Sequence, residues 1–143
     1  MDQKQSACKC CKDGIAVAPT LDELYPVQDY IHEVIGENRI PRIQKQKIDI
    51  IVDEIFSNIV KYSRAGQVQI ICIADADQIR ILFSDDGTPF NPLTANVSDA
   101  VTPRTASGMG ISIIRKIMDL VQYEYRDNKN TLTITLNIKE NEK

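Results

Sequence analysis

Three short segments of this chain carry side chains that could do chemistry together. The first is Asp53-Glu54-Ile55-Phe56-Ser57-Asn58-Ile59-Val60-Lys61-Tyr62. On a helix turning roughly 100° per residue, Glu54, Asn58 and Lys61 fall within about 60° of one another. Ile51, Ile55 and Ile59 form an apolar stripe beside them, so the trio lies where a buried helix would meet an open site. A carboxylate, an amide and an ammonium placed there can orient water, ligate a hard cation and meet phosphate oxygens. Taken alone, the same trio reads as a solvated helix face. The second segment is Asp85-Asp86-Gly87-Thr88-Pro89-Phe90, at the end of a β-rich run. A carboxylate there is a sheltered acceptor, and Gly87 would let a flat ligand approach the backbone; by itself an Asp-Gly pair is a common turn. The third is Ser107-Gly108-Met109-Gly110-Ile111. Two glycines ahead of a helix leave amide N–H groups for phosphate oxygens, although a lone Gly-x-Gly recurs in many unrelated chains.

Hydrophobic periodicity supplies the elements that would position these groups. Residues 15–18 suit a short edge strand. Leu21, Leu24, Val27, Ile31, Val34 and Ile35 recur at helical spacing, with Thr20 and Glu23 as a capping box and Pro26 near the start of the regular helix. Pro41 opens a second helix to about residue 62, with Ile48, Ile51, Ile55 and Ile59 on one stripe. Residues 68–74 and 78–84 then read as strands joined by the Asp75-Ala76-Asp77 hairpin. Residues 85–107 are rich in Asp, Gly, Pro, Thr, Ser and Asn and read as a long loop, of the kind that is functional or disordered. A third helix is expected over residues 110–121. A last hairpin pairs residues 123–126 with 131–138 across Asp127-Asn128-Lys129-Asn130. This order predicts an α+β two-layer sandwich, with helices on one face of a mixed, mostly antiparallel sheet.

At 143 residues the chain is long enough for one domain with a real core. A net charge of -3 gives no bulk signal for nucleic-acid binding, and no apolar run reaches membrane-spanning length. The polar stretch 1–14 lacks the apolar core of a signal peptide and reads as a flexible tail, with the domain over 15–143; the default compartment is cytoplasmic. Cys8, Cys10 and Cys11 crowd into that tail without a second ligand pair, so exposed reducible thiols are expected in preference to a metal site. Cys72 reads as a small buried hydrophobe. The single histidine, His32, is expected at the surface.

In order and spacing, the three segments together resemble the GHKL superfamily of gyrase, histidine kinases and mismatch-repair ATPases, over residues 19–138. The resemblance implies a Bergerat-type ATP-binding fold. It makes Asn58 the magnesium ligand, Glu54 the catalytic carboxylate and Lys61 a phosphate contact. It makes Asp85 the acceptor of the adenine amino group, with Gly87 beneath the ring and Thr131 helping through water. Gly108, Met109 and Gly110 would hinge the lid over ATP and lend amides to the phosphates. The Ser-Gly-Met-Gly run, Ile117-Met118-Asp119 and Asp-Asp-Gly-Thr-Pro-Phe-Asn-Pro are most similar to the small anti-sigma-factor serine/threonine kinases, as are the single domain and the lack of a phospho-acceptor histidine hairpin. That family implies Mg-ATP-dependent phosphorylation of a STAS-type antagonist, sequestration of a sigma factor, and a homodimer. Where its best-known members carry an arginine beside the glycine run, this chain has Ala106, and Arg104 is the nearest substitute. A non-catalytic ATP-gated switch and a stand-alone histidine-kinase ATPase domain therefore remain as alternatives.

Overall fold

The computed structural model describes residues 14–36, 40–91, 114 and 116–138. Strand β1 (Ile15–Val17) leads through a single 3-10 turn (Leu21–Glu23) into helix α1 (Leu24–Ile35) and then α2 (Arg42–Tyr62). Strands β2 (Val68–Ala74), β3 (Gln78–Asp85), β4 (Leu120–Arg126) and β5 (Lys129–Asn137) follow. The sheet order is β1-β2-β3-β5-β4. All four described pairings are antiparallel, so the expected sandwich stands with no parallel pair among the described residues.

Period-two alternation gives the sheet one fully buried face. Val68, Ile70 and Cys72 of β2, Ile79, Ile81 and Phe83 of β3, and Leu132, Ile134 and Leu136 of β5 are all buried. Val27, Ile31, Val34 and Ile35 of α1 and Ile48, Ile51, Val52, Ile55, Phe56 and Ile59 of α2 complete that core. Among the described residues, strand β1 pairs with β2 as far as Ile15 with Ile70. Farther along β2, the Tyr30 hydroxyl of α1 accepts the Cys72 N–H at 2.9 Å. A buried backbone donor is thereby satisfied. Burial pushes the Cys72 thiol up to about 12, as an apolar setting without a nearby cation requires.

Several expectations shift at the edges of elements. Thr20 makes no side-chain cap, because the chain enters through the 3-10 turn and α1 begins only at Leu24, placing Pro26 in its first turn where the missing N–H costs nothing. His32 is half-buried, not at the free surface, and its Nε2 meets Asp49 Oδ1 at 2.6 Å across the two helices. The third helix does not reach residue 121. Met118 N–H makes a last helical bond to the Ile114 carbonyl, and the Asp119 N–H already joins β5 at Thr135. Leu120 and Val121 then pair with Thr135 and Ile134, so sheet partners override helical spacing there. The last turn is two residues, Asp127 and Asn128, both at positive φ, the conformation that matches strand twist in a tight hairpin. That turn moves Lys129 and Asn130 into β5.

Candidate functional site

Helix α2 presents two different ends of one site. Near its last turns, Asn58 is buried and its Nδ2 donates to Glu54 Oε2 at 3.2 Å, one turn back along the helix. This fixes the carboxamide with its oxygen turned away from Glu54. Burial raises the Glu54 carboxyl above its ordinary value; the Asn58 hydrogen bond and the Lys61 charge oppose this, and Asp53 adds to it. A half-desolvated carboxyl beside an amide and an exposed ammonium suits proton transfer better than a free surface glutamate would. The trio expected from helical spacing is thus assembled on one edge of α2.

The other end lies where α2 stops. Gly87 packs directly on the final residue of that helix turn, so closely that any side chain at position 87 would overlap the Ser63 carbonyl. The Thr88 N–H and Oγ1 both reach that carbonyl, at 2.8 and 3.3 Å. Asp86 adds a second tie, accepting Gly66 N–H at 2.7 Å and Gln67 N–H at 3.2 Å, and these amides hold its carboxyl below the usual carboxylate range. The close approach that Gly87 permits is therefore to the helix end. The strand end carrying Asp85 is clamped about five residues, or roughly 7.5 Å of helix rise, beyond Asn58.

Asp85 is buried at the end of β3 on the helix-covered face. Its Oδ1 accepts from Gly87 N–H at 2.9 Å and from Asn130 Nδ2 at 3.0 Å. Asn130, which a four-residue turn over 127–130 leaves outside the strand, stands directly opposite Asp85 in the β3–β5 register. Thr131, expected beside Asp85, instead pairs with Ser84. One step along a strand changes the face, so its side chain points away from Asp85, and the residue that meets the carboxylate is Asn130. Two aromatic rings complete the wall: Tyr62, the residue after Lys61, and Phe90 lie with centroids 5.4 Å apart, tilted by 35°. The exposed Tyr62 ring offers an apolar face beside the clamped strand end. Arg104, Gly108, Met109, Gly110 and Ala106 lie outside the described residues, as do Cys8, Cys10 and Cys11.

The donor set fits a nucleotide with a hard cation. An amide oxygen is a ligand type that magnesium takes alongside phosphate oxygens and water; Asn58 would supply it, with the Glu54 carboxylate beside it as a proton acceptor. Among the described residues, both hydrogen bonds made by Asp85 fall on Oδ1. No helix among the described residues is long and apolar enough to cross a membrane.

Among solved structures, the chain is similar to the Acinetobacter baumannii histidine kinase AdeS, with a TM-score of 0.51 and 20% identity, covering 67% of this chain and 48% of that one. It thus spans about half the length of that protein. It is also similar to the nucleotide-free catalytic domain of the histidine kinase ThkA, with a TM-score of 0.52 and 14% identity, covering 89% of this chain and 99% of that one. At these identities the likeness is one of fold. No curated protein matches the chain in sequence. The model of the histidine kinase-like ATPase domain family matches residues 17–136, and the chain belongs to that family.

Proposed function

We propose that the chain binds Mg-ATP and transfers its terminal phosphoryl group to a serine or threonine of a STAS-type anti-sigma-factor antagonist. Family membership implies ATP binding, with magnesium as the usual companion. The observation that carries the nucleotide reading is the two-ended construction on α2: a half-buried Glu54 hydrogen-bonded to the buried Asn58 at one end, and a buried Asp85 clamped to the helix terminus at the other. A purine amino group would meet Asp85, with Tyr62 and Phe90 walling the base. Asn58 would hold the cation that offsets phosphate charge, and Lys61 would reach the phosphates. Glu54, its affinity for protons raised by burial, takes the proton of the attacking hydroxyl.

Support for serine or threonine as acceptor comes from the sequence: Ser107-Gly108-Met109-Gly110 and Ile117-Met118-Asp119 resemble the anti-sigma kinases. Cytoplasmic regulation of a sigma factor through that antagonist, and a homodimer, belong to the same proposal. Ala106 favours the second reading, an ATP-gated binding switch that transfers nothing; the fold likeness to histidine kinases favours the third, a histidine-kinase ATPase domain. One experiment separates them: incubation with labelled ATP and candidate antagonist, followed by acid treatment of the product. Acid-stable label on the antagonist is the expected result. Acid-labile label points to phosphohistidine, and ATP-dependent capture without label points to the switch; either outcome overturns the serine/threonine kinase reading.

A further inference from the structure

We propose that Asn130 is the positioning residue for Asp85 and thereby sets the purine selectivity of the site; this rests on the reading of Asp85 as the acceptor of the purine amino group. Asn130 is only 4% exposed, and its carboxamide ties together separate segments. Its Nδ2 donates to Asp85 Oδ1 at 3.0 Å and to the Thr88 carbonyl at 2.8 Å. Its Oδ1 accepts the Phe90 N–H at 2.9 Å and the Tyr123 hydroxyl. A primary amide has two N–H donors and two lone pairs, so all of its hydrogen-bonding capacity is used. The orientation follows from the partners. A flipped amide would set oxygen against Asp85 Oδ1 and the Thr88 carbonyl, and N–H against the Phe90 N–H. Burial raises the Tyr123 phenol above its ordinary value, against a smaller lowering by the Phe90 amide, so it remains a donor to Oδ1.

The consequence falls on Asp85. Torsion about the last side-chain bond of an aspartate is broad when nothing constrains it. Here two donors converge on one oxygen, Gly87 N–H from within the turn and Asn130 Nδ2 from the neighbouring strand. The carboxylate plane is fixed, Oδ1 is spent, and Oδ2 is the oxygen presented to a ligand. Asn130 has no hydrogen-bonding position left for a base, so it acts through Asp85. The same side chain holds the Thr88 and Phe90 backbone, which sets where the chain leaves the strand end towards the long loop.

The test compares ATP with purine riboside triphosphate, which is ATP without its 6-amino group, by calorimetry on the full chain. Wild type should prefer ATP by about ten- to hundredfold, the worth of one charge-assisted hydrogen bond. Asn130→Asp is isosteric but turns the donor facing Asp85 into an acceptor. It should lower ATP affinity about tenfold or more and weaken the 6-deamino analogue much less, so that discrimination collapses. Asn130→Ser, which keeps one donor but cannot bridge the segments, should fall between. Folding of each variant is checked by circular dichroism. A folded Asn130→Asp with the wild-type preference overturns the inference, as does equal weakening of both nucleotides, the signature of a merely structural role. If neither variant folds, Asn130 serves the fold alone and the inference fails. A wild type that binds both nucleotides equally removes the Asp85 reading itself and the inference with it.

Discussion

Gly87→Ala separates two reasons for a glycine at the strand end. If the glycine serves only to let a ligand approach, alanine should weaken ATP binding and leave stability alone. The structure gives the other reason. A methyl group at position 87 would stand 2.0 Å from the Ser63 carbonyl oxygen, 2.7 Å from its carbon and 2.9 Å from the Ala65 nitrogen. Favourable carbon contacts begin near 3.5 Å, so the backbone must part by more than about 1 Å. All three obstacles are backbone atoms, which cannot rotate aside. Overpacking of this kind costs about 1–3 kcal/mol. Parting the segments also loses the Thr88 N–H bond to Ser63, a further ~0.5–1.5 kcal/mol. Together the cost is about 1.5–4.5 kcal/mol, and at about 3–5 °C per kcal/mol for this chain length Tm should fall by about 5–22 °C. Asp85 moves with the turn, so ATP affinity should fall at least about tenfold as well. Differential scanning calorimetry and nucleotide titration on one sample decide the matter. A Tm within about 2 °C of wild type refutes the packing argument, whatever happens to affinity.

Other expectations follow from single residues. Glu54→Gln should leave ATP affinity within about threefold while abolishing transfer or hydrolysis, because a base acts on protons and not on binding. In wild type, burial of Glu54 should place the acid limb of the pH–rate profile above the ordinary glutamate value of 4.5, read by single-turnover assays across pH. Asp86 has a folded-state proton affinity lowered by the Gly66 and Gln67 amides, so its contribution is present above the ordinary aspartate value of 3.8 and is lost as pH falls below it. The Tm difference between wild type and Asp86→Asn should accordingly be largest near neutrality and shrink towards zero in strong acid. With Cys8, Cys10 and Cys11 replaced by serine, Cys72 should resist a thiol reagent at pH 8 until denaturant unfolds the chain, since it is fully buried with its thiol pushed up to about 12.

The helical trio was readable from sequence because its geometry is local. Glu54, Asn58 and Lys61 are separated by four and three residues, and a helix converts that spacing directly into one edge. Along β3, Ile79, Ile81 and Phe83 alternate with Arg80, Leu82 and Ser84, and that period is likewise local. Asp85 was legible for the same reason, as the continuation of the Ile79, Ile81, Phe83 series. What spacing cannot supply is the partner across the sheet. Leu120 and Val121 continue an amphipathic helical pattern and still enter β4, since their pairing residues lie fifteen and thirteen positions away along the chain.

Asn130 shows how a one-residue ambiguity hides a site. Reading a four-residue turn over residues 127–130 assigns Asn130 to solvent and makes Thr131 the first strand residue. The real turn uses only Asp127 and Asn128, the two residue types that best tolerate positive φ after glycine. Two residues are thereby returned to the strand, and β5 begins at Lys129. Pairing with β3 then brings Asn130, not Thr131, opposite Asp85. The signal was present in the Asp-Asn pair itself, since a two-residue turn there leaves an amide on the same face as Leu132, Ile134 and Leu136. An asparagine continuing a buried apolar series must find polar partners, and the strand end at Asp85 with the Thr88 and Phe90 backbone is where it finds them. The carboxylate therefore owes its position to a residue whose role exists only once the strands are in register.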